Sequence, residues 1–309
     1  MVVHHSHPTS DASPTLTVII PCYNSEHTIR QCLNSIISQR TSVEFDVVVV
    51  DSSSDQTAQI VEREFPLVRL IKLNQRTFAG AARNVGTRAT RADFCLMIDS
   101  DCIAEPDLIE RAITRHREDN YAAVGGSLAN GTPRSLSGWI GYLIEFKEFM
   151  PSAPVRLAKN MPTANVTYRR EALERYGGFD DDMWLTEDLL FNGKLYSGGE
   201  RLLFDPAIKV THLNRTGWGR ILSYQVSLGR TSVTARKRGA GIGSPSADLP
   251  LRYPILIAFL PFVRLIRAAT WLAAYDTKAF LVFLLAWPMY LLAAAFWSFG
   301  MWQGAIDER

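Results

Sequence analysis

The chain has 309 residues, of which 47% are apolar and 21% are charged, and these proportions exclude a disordered or fibrous protein. Its 33 basic and 31 acidic residues leave a net charge of +2, so a strongly basic nucleic-acid-binding protein is not indicated and no nucleic-acid partner is expected. The four cysteines contain no Cys-x-x-Cys pair, which argues against a zinc site or a disulfide framework and favours reduced thiols in a cytosolic body.

Residues 1–14 are polar and end at Pro14, and they include His4, His5 and His7. We expect a disordered tail here, with the histidines belonging to that tail rather than to a metal site. The tail has no apolar segment of the kind found in secretory signal peptides, so no signal peptide is predicted.

From residue 15 to about residue 126, short apolar runs alternate with stretches of helical periodicity. Runs rich in Val, Ile, Leu and Phe with the length of strands lie at 16–20, 45–50, 68–73 and 94–98. They are apolar on both faces, which is typical of parallel strands covered by helices. The alternation predicts a doubly wound α/β sheet, in which ligands bind at the carboxyl ends of the strands.

Polar and acidic residues follow three of these runs. PCYNS follows the first run at 21–25, DSSSD follows the second at 51–55, and DSD follows the fourth at 99–101. Two carboxylates one residue apart can share a hard divalent cation such as Mg²⁺, which also takes phosphate oxygens as ligands. A metal–diphosphate site is therefore favoured over the alternative that these acids only cap helices and end a strand.

Five segments occur in an order that is more specific than any one of them. They are VIIPCYN at 18–24, VVDSSSDQT at 49–57, AGAARNVG at 79–86, MIDSD at 97–101 and WLTED at 184–188. They resemble, in turn, the opening strand and loop, the nucleotide-base loop, the Gly/Ala-Arg-Asn helix, the metal-binding Asp-x-Asp and the later Glu-Asp motif of inverting family 2 glycosyltransferases. The resemblance implies a GT-A fold, with a doubly wound, mainly parallel α/β sheet and flanking helices.

The resemblance also implies which residues bind the nucleotide sugar. Asp51 would accept a hydrogen bond from the base, with Tyr23 packed nearby and Pro21 contributing backbone contacts. Arg83 would approach the nucleotide or its diphosphate, since its planar donor fork suits phosphate oxygens. Asp99 would lie near the ribose or the metal. A UDP-sugar is the expected donor.

The expected cofactor is a divalent cation, Mn²⁺ or Mg²⁺. Asp101 would ligate it, with Asp99 beside it, and His212 stands where relatives often have a metal-ligating histidine. A purely structural role for His212 remains the alternative. Relatives often have two consecutive acids in the nucleotide-base loop, whereas Val50 occupies the first of those positions here, which leaves open which nucleotide is bound.

Glu187 and Asp188 precede the apolar run LLF and are expected to open a helix, whose dipole would keep a carboxylate ionised. An inverting transfer needs a base that takes a proton from the acceptor hydroxyl. We expect Asp188 to be that base, with Glu187 as its neighbour, and the alternative is that both acids only cap the helix.

No acidic residue occurs between Pro206 and Ala247, although basic residues are frequent there. The interval 216–250 is interpreted as a basic lid or linker, and relatives carry a Gly-Arg element similar to Gly229-Arg230, so Arg230 is expected to contact the diphosphate. Attraction to anionic lipid headgroups is a second reading of the same charges, and a solvated loop is a third.

Residues 279–302 carry no charge, and at helical rise they would be about 36 Å long, enough to cross a hydrocarbon core of about 30 Å. The segment 253–275 has Arg264 and Arg267 near its middle, so an interfacial helix is favoured there over a span. A hairpin of two spans is the alternative. Basic residues before both segments place the catalytic body on the cytosolic side of the membrane.

Together these features predict a membrane-associated, metal-dependent inverting glycosyltransferase that uses a glycan or polyprenyl-linked acceptor in cell-surface polysaccharide assembly. Its alternatives are a polyprenyl-phosphate glycosyltransferase, whose ionised acceptor needs no base, and a non-catalytic membrane adaptor.

An apolar helix is also predicted over 138–150, facing either the acceptor or the sheet. The expected parts are a tail (1–14), a catalytic domain (15–215, with a nucleotide-binding half at 15–126 and an acceptor half at 127–215), a basic lid or linker (216–250) and membrane-associated helices (251–309).

Overall fold

The structure is a computed structural model that describes residues 13–239 and 249–307. Most of the expected tail (1–12), part of the expected linker (240–248) and the last two residues lie outside the described residues.

The amino-terminal half contains four parallel strands, and all four strand predictions are confirmed. The strands are β1 (Leu16–Cys22), β2 (Phe45–Asp51), β3 (Arg69–Lys72) and β4 (Phe94–Ile98). β1 pairs in parallel with β2 and with β4, and β2 pairs in parallel with β3.

Helices cover both faces of β1, β2 and β4, which explains why these strands are apolar on both sides, whereas the edge strand β3 (RLIK) is partly exposed. The helices are α1 (Ile29–Ile37), α2 (Thr57–Glu64) and α3 (Ala79–Arg88). Val18 and Ile20 cluster with Leu33 of α1, whereas the alternate residue Ile19 lies under α3, since a Cβ at Gly86 would be 2.5 Å from Ile19 Cγ2. The glycine therefore allows α3 to pack directly on β1.

The second half adds shorter strands to the same sheet. Its elements are β5 (Cys102–Ala104), α4 (Leu108–Glu118), β6 (Ala123–Asn130), α5 (Leu136–Phe146), β7 (Arg156–Leu157), β8 (Asn165–Arg169), α6 (Arg170–Arg175), α7 (Glu187–Ser197) and β9 (Leu202–His212). Among the described residues the strand order is β3-β2-β1-β4-β8-β6-β9-β5, with β7 paired to β9.

The predicted α/β sheet with flanking helices is thus confirmed, and the parallel arrangement holds for β1 to β4. The second half is mixed: β8 runs antiparallel to β4 and β6, and β9 runs antiparallel to β5 and β7 but parallel to β6. The residue pattern predicts a short strand at 209–212, which is the end of β9, but it did not reveal β5, β7 and β8, because these are short and β8 (NVTYR) is partly polar.

The carboxyl-terminal part is helical. It comprises α8 (Trp218–Arg238), α9 (Leu249–Arg252), a 3₁₀ turn (Pro254–Phe259), α10 (Leu260–Tyr275) and α11 (Thr277–Asp307), and Pro288 lies inside α11. The region expected to be a lid or linker is therefore a long helix over 218–238. By length and composition, Pro254–Tyr275 and Thr277–Asp307 are each apolar enough to cross a membrane.

α5 begins and ends slightly earlier than the apolar helix predicted over 138–150, and a 3₁₀ turn follows it at Lys147–Phe149. Its apolar side chains form a cluster with α10 and α11, and the Tyr142 hydroxyl donates to the Leu128 carbonyl of β6 at 2.8 Å. The helix therefore packs within the protein, and its Gly141 and Glu145 also line a pocket beside His212.

Candidate active site

The carboxyl ends of β1 and β2 lie side by side, because their register pairs Pro21 with Val50 and Cys22 with Asp51. Asp51 is 3% exposed, and its Oδ1 accepts hydrogen bonds from the Ser53 hydroxyl (2.5 Å) and the Ser53 backbone N–H (3.3 Å). Burial raises the pKa of this carboxyl, and the bonds from Ser53 oppose the rise. A carboxylate held in this way can accept a hydrogen bond from a nucleotide base.

Tyr23 follows β1 and is exposed, and the guanidinium of Arg76 lies 4.6 Å from the centre of its ring. This pair places an aromatic ring and a cationic group together at the end of β1. The sequence did not single out Arg76, because its position depends on the path of the loop before α3.

Arg83 of α3 connects the two halves of the crevice. It is 2% exposed, and its two terminal nitrogens each lie 2.6 Å from a carboxylate oxygen, one of Asp99 and one of Glu187. Burial lowers the pKa of the guanidinium, but the two carboxylates overcome this effect and raise it above its usual range. α3 approaches α7 closely at Gly80, where a Cβ would be 3.1 Å from Glu187 Cγ. Arg83 therefore ties the end of β4 to the start of α7.

The prediction that Glu187 and Asp188 open a helix is confirmed, since α7 begins at Glu187. The preceding Thr186 has φ +66°, a left-handed conformation that is strained for a β-branched residue. Its hydroxyl donates to the Thr231 carbonyl of α8 at 3.2 Å. The Asp188 Oδ1 accepts from the Leu189 backbone N–H at 2.7 Å.

Burial, and secondly the charge of Glu187, raise the pKa of the Asp188 carboxyl to about 7. The expectation that the helix dipole keeps this carboxylate fully ionised is therefore not met, because desolvation outweighs the dipole. A base whose pKa lies near the working pH is ionised in a large fraction of molecules and still binds a proton well.

Asp101 and His212 face each other where β5 pairs with β9, in a register that places Cys102 opposite His212. The Asp101 Oδ1 lies 3.5 Å from His212 Nε2, and the donor atoms of Asp101, Cys102 and His212 all lie within 4.8 Å of one another. Burial raises the pKa of the Cys102 thiol well above its usual value, so the thiol stays neutral and is a poor ligand for a hard cation.

A chain of hydrogen bonds sets the orientation of the His212 ring. Asn214 donates from its carboxamide to Asn130 Oδ1 at 2.8 Å, and its own Oδ1 is 2.9 Å from His212 Nδ1. With the ring proton on Nδ1, an unprotonated Nε2 faces the Asp101 carboxylate. This donor set fits a divalent cation, and the Asn214 contact is the kind of support that metal-ligating histidines commonly have.

A small pocket next to this pair contains groups that the sequence did not distinguish. The Arg215 guanidinium lies 4.1 Å from the centre of the Tyr224 ring. Burial raises the pKa of Asp101, and His212 and, less strongly, Arg215 oppose that rise. Burial raises the pKa of Glu145, whose carboxylate accepts from Gln225 at 3.0 Å. The pocket is lined by Gly141, Glu145, His212, Asn214, Arg215, Ile221 and Tyr224.

Arg230 is the predicted site residue that is paired elsewhere. Its guanidinium lies 2.7 Å from the Asp307 carboxylate, at the end of α11, so it faces that helix. The sequence pattern Gly-Arg could not reveal this contact because Asp307 is distant along the chain. The other predicted residues gather at the carboxyl edge of the sheet: Pro21, Tyr23, Asp51, Arg83, Asp99, Asp101, Glu187, Asp188 and His212.

Comparisons with known proteins agree with this geometry. A family model described as Glycosyl transferase family 2 matches residues 17–177. The chain is 32% identical over 198 residues to the poly(ribitol-phosphate) beta-N-acetylglucosaminyltransferase TarS of Staphylococcus aureus, a match that covers 60% of this chain and 33% of TarS. It is 23% identical over 225 residues to the glycosyltransferase AglE of Haloferax volcanii, covering 71% of this chain and 73% of AglE. The chain thus spans about a third of the length of TarS.

Solved structures show the same fold. The mannosyltransferase PcManGT from Pyrobaculum calidifontis, in complex with GDP-Man and Mn²⁺, has a TM-score of 0.62 at 22% identity, with 97% of this chain and 89% of that chain covered. Residues 1–349 of S. aureus TarS in complex with UDP-GlcNAc give a TM-score of 0.53 at 21% identity, with 96% of this chain and 91% of that chain covered.

Proposed function

The chain belongs to glycosyl transferase family 2, and we propose from its crevice that it transfers a sugar from a nucleotide sugar, with inversion, to a glycan or polyprenyl-linked acceptor. The observation that carries the proposal is the Arg83 bridge, which holds Asp99 and Glu187 at 2.6 Å on either side. This bridge brings the proposed metal-binding and base-bearing segments into one crevice. Family membership sets aside the non-catalytic adaptor.

The donor would lie along the ends of β1, β2 and β4. Asp51 and Tyr23 would bind the base, Pro21 would contribute backbone contacts, and Asp99 would lie near the ribose. We propose a UDP-sugar, and the UDP-GlcNAc complex of TarS supports this choice. The GDP-Man complex of PcManGT makes a GDP-sugar the donor to test beside it.

A divalent cation, Mn²⁺ or Mg²⁺, would be held by Asp101, Asp99 and His212. When bound, it would stabilise the negative charge that develops on the departing diphosphate. Asp188 would take the proton from the acceptor hydroxyl as that oxygen attacks the sugar from the face opposite the diphosphate. Arg83 would keep Glu187 and the start of α7 in place for this step.

A screen of nucleotide sugars by thermal unfolding, with and without Mn²⁺, tests the donor and the metal together. A donor at a hundred times its Kd should raise the Tm by roughly 5–10 °C in the presence of Mn²⁺. Asp101→Asn should lose the Mn²⁺-dependent part of this shift, whereas Asp182→Asn, in the exposed loop before α7, should retain it. If no donor raises the Tm and none is turned over to nucleoside diphosphate, the proposed function is wrong.

The diphosphate needs a cationic side chain whose charge is not already neutralised in a buried ion pair, as that of Arg83 is. We propose Arg215 for this role, because it lines the pocket beside His212, whereas Arg230 forms an exposed ion pair with Asp307 at the end of α11. Arg215→Gln should weaken UDP binding in the presence of Mn²⁺ by roughly 10- to 100-fold, the effect of losing a charged hydrogen bond. Arg230→Gln is the matched control and should bind UDP like the wild type in calorimetry. The reverse ranking of the two variants would restore the role of Arg230 that the sequence predicted.

The acceptor and the location are proposed from the relatives and from the apolar helices. The name of TarS includes a poly(ribitol-phosphate) acceptor, which supports a role in cell-surface polysaccharide assembly. The two apolar helical segments support attachment to the cytoplasmic membrane, with the catalytic body on the cytosolic side.

A further inference from the structure

α11 packs against the rest of the protein along its whole length. Its buried residues recur every three or four positions from the first turn to the last, and they form clusters with α5, α8 and α10. They include Ala279, Phe283, Ala286, Tyr290, Ala293, Trp297, Met301 and Ala305. One entire face of the helix is therefore covered by protein.

The contact with α8 is especially close. A Cβ at Gly300 would lie 1.9 Å from the Val226 carbonyl oxygen, and one at Gly229 would lie 1.9 Å from the Trp297 carbonyl oxygen. Gly304 lies in the same way against Arg230. Positions 226 and 230 thus meet positions 300 and 304, so the two helices run side by side in the same direction. Trp218 and Leu222, at the start of α8, join the cluster around Tyr290.

α8 in turn belongs to the catalytic body. The Thr231 carbonyl accepts from Thr186, directly before Glu187, and Arg238 is 2.9 Å from Asp180 in the neighbouring loop. α8 also carries Arg220, which is exposed and in this register lies beside the middle of α11. If α11 crossed a bilayer, this charge and the edge of the crevice would be drawn into the hydrocarbon core, where charged side chains are costly.

The opposite face of α11 is exposed and apolar from Leu281 to Ile306. Leu285 is 86% exposed, and at helical rise this stripe is about 38 Å long. A continuous apolar surface of this size marks an interaction site. Its exposed members are Leu281, Leu284, Leu285, Leu292, Phe296, Phe299, Trp302 and Ile306.

The two arginines of α10 contact the segment at the end of α5. Arg264 lies 4.3 Å from the centre of the Trp297 ring and donates to the Ile144 carbonyl at 3.3 Å, and Arg267 is 3.0 Å from Glu148. The guanidinium groups of Arg264 and Arg267 are therefore both in contact with protein groups. The remaining exposed side chains of the 3₁₀ turn and α10 include Ile255, Phe259, Phe262, Val263 and Ile266.

We infer that the protein is monotopic, with α11 and α10 lying in the plane of the membrane and the exposed apolar stripe seated in a single leaflet. This rests on the membrane attachment proposed above, and it replaces the span expected over 279–302. Exposed Arg252 and Lys278 stand before the 3₁₀ turn and in the first turn of α11, where they can meet anionic headgroups, and exposed Trp287 and Trp302 suit the interfacial layer. These features favour lipid over a second copy of the chain. The crevice is then held next to the membrane surface, where a polyprenyl-linked acceptor presents its headgroup.

Depth measurement distinguishes an in-plane helix from a spanning one. A fluorophore is attached to full-length protein at one of three introduced cysteines, Leu281→Cys, Leu292→Cys or Phe299→Cys. Each labelled protein is bound to vesicles of phosphatidylcholine and phosphatidylglycerol that contain lipid-borne quenchers at known depths. The first and last positions are about 27 Å apart along the helix. All three labels should lie at one depth, about 5–10 Å below the headgroup boundary. The native cysteines are buried and do not compete for label, and Ser38→Cys on the exposed end of α1 is the unquenched control.

Depths that differ by most of the helical distance would establish a span and overturn the inference. Leu285→Asp should reduce vesicle binding at least tenfold, whereas Leu67→Asp, at an exposed leucine on the catalytic body, should not. If Leu285→Asp instead dissociates a dimer and leaves vesicle binding intact, the stripe is an interface between copies and the inference is wrong. If the wild type fails to bind vesicles of any composition, the proposed membrane attachment itself fails, while donor binding and turnover are unaffected.

Discussion

Replacing Asp188 by asparagine should lower the turnover of sugar transfer by roughly 10²- to 10⁴-fold, the usual contribution of a general base. Asparagine has nearly the same shape and can still accept from the Leu189 N–H, but it cannot take the proton of the acceptor hydroxyl. Donor binding should therefore be retained. The measurement is kcat for glycosyl transfer, with the Kd for the nucleotide sugar measured in parallel.

The pH dependence of the wild type follows from the same residue. Because burial and Glu187 raise the pKa of Asp188 to about 7, the base is protonated and inactive below that pH, and kcat should rise through pH 7 and level off above it. Glu187→Gln removes a neighbouring negative charge and should move this rise to lower pH. An effect on kcat without such a shift would indicate that Glu187 acts only through packing.

The asparagine variant should also be no less stable than the wild type at pH 8. A carboxyl whose pKa is raised on folding stabilises the protein only while protonated, and that stabilisation is lost as the pH rises through the folded pKa, about 7 here. Asp182→Asn, in the exposed loop nearby, is the control and should leave both properties unchanged. If Asp188→Asn keeps more than a tenth of the turnover, the acceptor attacks without a base, which favours the alternative of an ionised polyprenyl phosphate.

Arg83→Met should lower the free energy of unfolding by about 3–5 kcal/mol, the effect of breaking a buried ion pair by removing one partner. Methionine fills a similar volume, but it leaves the Glu187 carboxylate, which is 7% exposed, without a counter-charge. Asp99 is less affected, since its side chain is 34% exposed and can be hydrated. Denaturant unfolding, with the slope compared between variants, measures the effect.

The matched control is Arg30→Met. Arg30 also donates two bonds of 2.6 Å to a carboxylate, that of Glu64, but this pair lies on the surface, where water and side-chain entropy leave ion pairs with little net effect. Glu187→Gln combined with Arg83→Met should recover part of the stability, because it removes the uncompensated charge. Equal losses of unfolding free energy from Arg83→Met and Arg30→Met would contradict the stabilising role of the buried Arg83 ion pairs.

Much of the fold could be predicted from local sequence because the causes are local. Strands β1, β2 and β4 are apolar on both faces as a direct consequence of burial between two layers of helices, and the acids at the carboxyl ends of β2 and β4 must meet at one edge of the sheet. The start of α7 at Glu187 was readable for the same reason, since acidic residues favour a helix amino terminus. The short strands β5, β7 and β8 of the second half could not be predicted, because two to five residues carry too little periodicity.

The ion-pair partners of the charged residues could not be predicted from local sequence. Arg83 meets Glu187 across 104 positions of sequence, Arg230 meets Asp307, and Arg215 reaches Asp101 only through the fold of β9. A charge in a sequence specifies what it can bind, whereas the tertiary structure decides which of several such partners lies within a few ångströms.

The sequence by itself determined the strand–helix alternation, the family motifs and the apolar character of α11, because each of these depends on residues near one another in the chain. Only the tertiary structure decided that Arg83 bridges two carboxylates, that Asn214 orients His212, and that glycines bring α11 against α8. The physical reason is that hydropathy measures how strongly a segment avoids water. Its value is the same whether the segment is covered by lipid, by protein, or by lipid on one face and protein on the other.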